Sequence, residues 1–151
     1  MIAEEVTAQS AERMAALHAK CFDQPWPASE FASLLSMPST LAFAIQQDAR
    51  HLALVLVRIA ADEAEILTIG VDPDFRGKRL GLAVLDRAER AVSESGAISM
   101  FLEVNQHNDP ARALYTRAGY SEIGRRPRYY RGRDDALIFR KSLLERGQTG
   151  A

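Results

Sequence analysis

The sequence predicts an α/β fold: one mixed, mostly antiparallel sheet of about six or seven strands, with a central parallel βαβ unit and helices on both faces. Three observations lead there. Strand-like runs at 41–45, 52–59 and 65–71 are separated only by short polar turns, which asks for an antiparallel meander. The apolar period then changes from two to about 3.6 at Leu80, the mark of an amphipathic helix. A nearly continuous apolar run at 98–104 follows, as expected of a strand covered on both faces. Strand, crossover helix and strand then close a right-handed parallel unit.

Each element has its own signal. Met14, Leu17, Cys21 and Phe22 recur at i, i+3, i+7 and i+8 and put one buried face on a helix over 8–22. Pro25-Trp26-Pro27 interrupts it. Pro27 opens a second short helix at its first position, with Phe31, Leu34 and Leu35 inward, and Met37-Pro38-Ser39 stops it. After the meander, Leu80, Val84, Leu85, Ala88 and Val92 share a helix face opposite Asp86, Arg87, Glu89 and Arg90, and Gly96 closes the helix. Asn108-Asp109-Pro110 reads as a cap with proline in the first turn of the next helix. Ala111, Leu114, Tyr115 and Ala118 form its face, and Gly119 is its left-handed end. The last strands fall at 120–123 and 136–139, joined by a long Arg- and Tyr-rich loop. One domain is expected over 1–146, then a frayed polar tail at 147–151.

Composition excludes several functions. Nineteen basic against twenty acidic residues give a net charge of -1, which carries no footprint for nucleic acid or a membrane surface. Cys21 is the single cysteine, so no intrachain disulfide forms, and no Cys/His cluster has metal-ligand spacing; no metal is expected. The chain starts without a basic and apolar leader, and its longest apolar stretch, 52–57, is too short for a bilayer. These features point to the cytoplasm.

Chemistry concentrates in two stretches. In the first, a strand ends at Val71 and the basic turn Arg76-Gly77-Lys78-Arg79 opens the helix at Leu80-Gly81. Unsatisfied N–H groups and the positive end of the helix dipole suit a phosphate there, and glycine lets the backbone approach it. The spacing is that of neither common nucleotide-binding glycine motif. A plain turn with solvated basic residues is the alternative. In the second stretch, Glu103 is a charge near the end of an apolar strand, and Tyr115 lies on the helix face turned towards that sheet. A part-desolvated carboxylate suits a general base, and a nearby phenol suits a proton donor. Each also has a plain reading, as an edge carboxylate and a core aromatic. His107 is a second candidate base or a solvated loop histidine. Cys21 reads as packed rather than nucleophilic.

Taken together, the two stretches resemble the GNAT superfamily of acetyltransferases, whose pyrophosphate turn is written [QR]-x-x-G-x-[GA]. The resemblance rests on Val71-x-Pro73-x-Phe75-Arg76-Gly77-Lys78-x-Leu80-Gly81. It rests equally on Asn108-x-x-Ala111-x-x-Leu114-Tyr115-x-x-x-Gly119-Tyr120. Residues 64–124 carry the match. The flanks are similar to a narrower group, the bacterial ribosomal-protein-alanine N-acetyltransferases of RimI type, through Pro25-Trp26, Leu102-Glu103-Val104, and Arg126 with Tyr129-Tyr130 before Asp135-Ala136. Arg79 departs from the pattern, standing where the family turn has its first glycine.

The resemblance implies a co-substrate, acetyl-CoA, lying in a V-shaped gap between the strand ending at Val71 and the strand at 98–104, splayed by a β-bulge near 69–71. Pantetheine pairs with Ile69, Gly70 and Val71, and the pyrophosphate takes the turn from Arg76 and Gly77 through Lys78, Arg79, Leu80 and Gly81 to Leu82. Asn108 orients the co-substrate, the Val71 N–H serves the oxyanion, Glu103 is the base and Tyr115 the acid. The acceptor is a protein N-terminal amine, foremost that of a ribosomal protein beginning with Ala or Ser, held near Trp26, Tyr129 and Tyr130. Trp26 fits a core anchor as well as a groove wall. Arg125, Arg126, Arg128, Arg131 and Arg133 suit an acidic peptide segment, ribosomal RNA or plain solvent. Acetylation of lysine or a small amine on the same fold is the rival enzyme reading, and a catalytically weak acetyl-CoA sensor the rival from another class. A monomer or weak homodimer is expected.

Overall fold

The computed structural model describes residues 1–130 and 132–144. Arg131 of the basic stretch, the last residues of the expected domain and the expected tail at 147–151 lie outside them. The strands are β1 (Glu4–Val6), β2 (Thr40–Gln47), β3 (Arg50–Ala60), β4 (Glu63–Val71), β5 (Ser99–Asn105), β6 (Ser121–Tyr130) and β7 (Asp134–Ser142). The helices are α1 (Ala11–Cys21), α2 (Ala28–Leu35), α3 (Leu80–Glu94) and α4 (Asp109–Arg117). All seven strands form one sheet in the order β1-β2-β3-β4-β5-β7-β6, in which β4 and β5 alone run parallel.

The sheet divides two cores by strand alternation. Ala42 and Ala44 of β2, with Leu54 and Leu56 of β3, turn to Met14, Leu17 and Phe31 beneath α1 and α2. Phe43, Ile45, Ala53, Val55 and Val57 turn the other way, to Val84, Leu85, Ala88 and Val92 of α3. β3 therefore reads as an unbroken apolar run, because both of its faces are covered. No helix among the described residues is long and apolar enough to cross a membrane.

The structure corrects the sequence reading in five places. β1 was not anticipated: Glu4 and Glu5 are exposed, and three residues pairing with Ala44, Phe43 and Ala42 leave no period to read. The Arg- and Tyr-rich segment is not a loop. It forms most of β6, which pairs antiparallel with β7, and the ladder breaks between Arg126 and Tyr130 around Pro127 and the left-handed Arg128. An edge strand tolerates proline at such a break, so Pro127 was a misleading stop signal. Phe22 does not continue the buried face of α1, because the helix ends at Cys21 and Phe22 is its extended, 36% exposed cap residue. Pro27 is the N-cap of α2 rather than its first helical residue. The bulge in β4 lies at Leu67, between Ile66 paired with Val57 and Thr68 paired with Leu56, not at 69–71.

Candidate active site

β4 and β5 pair only over Glu63–Glu65 with Ser99–Phe101. Beyond Glu65 the strands part, and the hydrogen-bond phase of β4 decides what the gap is lined with. The Asp72 N–H donates to the Leu52 carbonyl, so the neighbouring pair Ala53 and Val71 is a non-hydrogen-bonded one. Val71 and, two residues earlier, Ile69 therefore turn their peptide groups away from β3 and into the gap. Gly70, opposite Leu54, is in the alternate phase and pairs with β3. Its lack of a side chain answers a second need, since a Cβ there would meet the Cys21 sulfur at 3.0 Å.

The turn after β4 is held from below. Asp72 is buried; its carboxylate accepts from the Asp74 N–H at 2.9 Å and pairs with Lys20 at 3.2 Å. The Asp74 amide first, and then Lys20, hold the carboxyl below its ordinary pKa against the opposing effect of burial. Arg76 Nε donates to the Val71 carbonyl at 3.2 Å, and the Lys78 ammonium stands 5.3 Å from the Phe75 ring centre. Gly77 has φ +81° with open space where a Cβ would lie, and Arg79, the N-cap of α3, has φ +63°. The first in-helix donor at this end is Ala83, to Arg79. The N–H groups of Leu80, Gly81 and Leu82 are left as the free helix-start donors. Gly81 also brings α3 close to α4, its missing Cβ falling 3.3 Å from a Leu114 methyl. A strand edge that turns the Ile69 peptide groups and the Val71 N–H away from β3, with the Val71 carbonyl held by Arg76 and Cys21, followed by an open cationic helix start, fits an amide-containing chain ending in a pyrophosphate.

Across the gap, the carboxylate of Glu103 on β5 pairs with Arg126 Nε of β6 at 2.8 Å, with side chains 24% and 57% exposed. The half-buried Tyr130 lies within the field of both Glu103 and Tyr115. Burial and then the Glu103 charge push its phenol pKa up. Tyr115 is buried against the rings of Tyr120 and Phe139, with its pKa raised by that burial and next by Tyr130. A phenol so placed stays protonated at any working pH and is a donor. Tyr129 is 53% exposed and edge-on to Tyr130 at 5.2 Å. Asn108 caps α4 by accepting from Ala111 at 3.2 Å, so the carbonyl end of its side chain is already engaged.

The predicted site residues thus fall into four groups: the β4 edge with the basic turn and the start of α3, the Glu103–Tyr130–Tyr115 cluster with Tyr129 beside it, Asn108 at the cap of α4, and Trp26. Trp26 belongs to the core on the opposite sheet face from Tyr115. Its backbone N–H donates to His18 Nδ1 at 3.0 Å, and its ring stacks on His18. With Nδ1 an acceptor, Nε2 carries the proton and donates to Thr68 Oγ1 at 3.0 Å, which ties the loop before α2 to β4. Sequence reading missed this latch; the signal available was a histidine among the buried positions of α1. It also missed Arg126 as the partner of Glu103, having placed it within a basic set and among the flanking residues of the resemblance. His107 is exposed and stands 3.6 Å from Asp134. The Cys21 thiol donates to the Val71 carbonyl at 3.4 Å, and burial pushes its pKa up, so it remains a thiol. No group of three or more potential metal ligands occurs among the described residues.

Comparison with known proteins bears on family and fold. Residues 11–120 match the Acetyltransferase (GNAT) family. The chain is 34% identical over 117 residues to the [ribosomal protein bS18]-alanine N-acetyltransferase of Escherichia coli K12, covering 76% of this chain and 78% of that protein. It is 34% identical over 132 residues to the N-alpha-acetyltransferase RimI of Mycobacterium tuberculosis, covering 83% and 82%. The crystal structure of the ribosomal-protein-S18-alanine N-acetyltransferase from Escherichia coli superposes with a TM-score of 0.84 at 28% identity, covering 93% and 92%. Arabidopsis thaliana NAA60 in complex with acetyl-CoA, at 19% identity over 94% of this chain and 98% of that one, shares the fold with a TM-score of 0.80.

Proposed function

Because the chain belongs to the GNAT acetyltransferase family, we propose that it transfers the acetyl group of acetyl-CoA to the α-amine of a protein N-terminus, foremost a ribosomal protein beginning with Ala or Ser. The observation that carries the reading is the phase of β4. It turns Ile69 and Val71 into the gap at the point where β5 departs, directly before the open helix start at Leu80. An extended amide chain adds to such an edge as another strand would, and the basic turn then receives its pyrophosphate. Acetyl-CoA supplies an activated acyl group. The Val71 N–H is the donor for the acyl oxygen as charge gathers on it. Glu103 takes the proton of the acceptor ammonium, directly or through water, and buried Tyr115 gives one to the departing thiolate. Tyr129 and Tyr130 wall the acceptor side, while Trp26, packed on His18 in the core under α1 and α2, anchors the loop before α2. Such an acceptor places the enzyme in the cytoplasm.

The test is thiol release from acetyl-CoA across a panel of acceptors. A peptide with free N-terminal Ala is expected to outperform free lysine, an N-blocked lysine peptide and polyamines in kcat/KM. Preference for polyamines or internal lysines excludes the N-terminal reading.

A further inference from the structure

Glu103 is already occupied. The guanidinium of Arg126 sits on one oxygen of the carboxylate that the proposed reaction offers to an ammonium group. The contact joins two strands that are not neighbours, since β7 runs between β5 and β6. In the cross-strand row Asn105–Ala136–Arg126 the central residue carries only a methyl, which leaves the arginine a path over β7. The hold is weak at the arginine end, which is 57% exposed. An alternative perch is at hand: the Arg126 guanidinium is already 5.5 Å from the Tyr129 ring centre. Arg126 also stands at the upstream edge of the interruption in the β6–β7 ladder, next to Pro127 and the left-handed Arg128.

We propose that Arg126 is the acceptor-selecting residue of this site: its guanidinium fills the ammonium position at Glu103 and pins the carboxylate until an acceptor ammonium displaces it towards Tyr129. The proposal deepens the function above and rests on it. Cation replaces cation, so the half-buried carboxylate is never left unpaired, and an acceptor arriving as a neutral amine or an amide cannot make the exchange. The incoming ammonium gives its proton to Glu103 only after the guanidinium has left. Arg126 acts through Glu103 and is a positioning residue. Removing it has two effects of opposite sign, because the acceptor meets no competitor but the carboxylate loses its anchor.

Wild type, R126A, R126K and E103Q are compared in steady-state and single-turnover acetylation of a peptide with N-terminal Ala. The expected result for R126A is a peptide KM lowered about two- to fivefold, the scale on which a part-exposed ion pair competes. Its kcat falls about tenfold or more, from misplacement of the base. Its KM for acetyl-CoA stays within about twofold of wild type, since the variant leaves the β4 edge and the turn untouched. Guanidinium chloride at low millimolar concentration raises the peptide KM of R126A back towards wild type and competes with peptide, not with acetyl-CoA. R126K, with a shorter point charge, falls between. A peptide KM that rises or stays constant in R126A overturns the proposal, as does indifference of R126A to guanidinium. Melting curves for every variant identify loss of fold, and in that event R126K with the guanidinium arm decides. Absence of wild-type turnover on any N-terminal peptide is a separate result, which sinks the acceptor assignment. An unchanged single-turnover rate and peptide KM in E103Q sink both the base assignment and this proposal.

Discussion

Arg79→Gly separates backbone strain from cofactor electrostatics at one residue. Arg79 caps α3 at φ 63° and ψ 21°, in the left-handed region, with no side-chain hydrogen bond at the cap. Crowding of Cβ against the carbonyl there costs about 1–2 kcal/mol, which glycine removes. The freer unfolded chain of the glycine variant returns about 0.4–1 kcal/mol of that gain. A net stabilisation of up to about 1.6 kcal/mol is left, and for a chain of this length that raises the melting temperature of the ligand-free protein by up to about 6 °C. The same change deletes an exposed cation beside the free N–H groups of Leu80, Gly81 and Leu82. Acetyl-CoA affinity should fall about two- to fivefold at low ionic strength, as for one exposed ion pair, and the loss should shrink in 0.5 M salt. Thermal melts without ligand and titration calorimetry at two salt concentrations read both effects. A lower ligand-free melting temperature would refute the strain argument, and an unchanged affinity at low salt would show that the Arg79 side chain does not face the phosphates.

The remaining predictions concern the acid, a buried histidine and the glycines. Tyr115→Phe keeps the ring packing against Tyr120 and Phe139, so single-turnover acetyl transfer should slow about 10²-fold with melting temperature and acetyl-CoA affinity nearly unchanged; a wild-type rate would make Tyr115 a packing residue only. His51 is buried with neither ring nitrogen partnered among the described residues, and burial lowers its pKa to about 4. Its folded pKa lies below the unfolded one, so stability is full above pH 6.5 and falls as pH drops towards 4, by up to about 1.4 kcal/mol per pH unit. His51→Leu should flatten the part of the urea-midpoint profile between pH 7 and 5 that His51 contributes, and raise stability by roughly 1 kcal/mol at pH 7; an unaltered slope would place the titration elsewhere, with His18, also lowered to about 4, the next candidate. Gly81→Val should destabilise by about 1–3 kcal/mol through Leu114 and the Val71 side chain, so it reports on packing before it reports on cofactor. Gly77→Ala meets no atom and tests the left-handed turn alone, at a cost of about 1–2 kcal/mol; an unchanged melting temperature for Gly77→Ala would contradict strain at that turn.

Local chemistry written in consecutive residues was legible from sequence. The amphipathic face of α3, the Asn108-Asp109-Pro110 start of α4 and the basic turn at Arg76–Arg79 all announce themselves within windows of about a dozen residues, because helix caps and apolar periods are short-range effects. What depends on pairing between distant segments was not legible. β1 is three residues whose only reason to be a strand is the free edge of β2. β6 looked like a loop because Pro127 and the arginines are poor strand formers, and β7 nevertheless supplies a ladder for most of its length. Glu103 was picked out as a charge in an apolar strand, yet its partner Arg126 lies two strands away, and only the insertion of β7 between β5 and β6 brings the two together. His18 likewise became a latch only when folding set Thr68 and the Trp26 amide against its two nitrogens. Sequence determined the helices and the basic turn, since each answers to its own residues. The tertiary structure decided which side chains meet, since a contact between strands is set by sheet order and register and is written in neither segment alone.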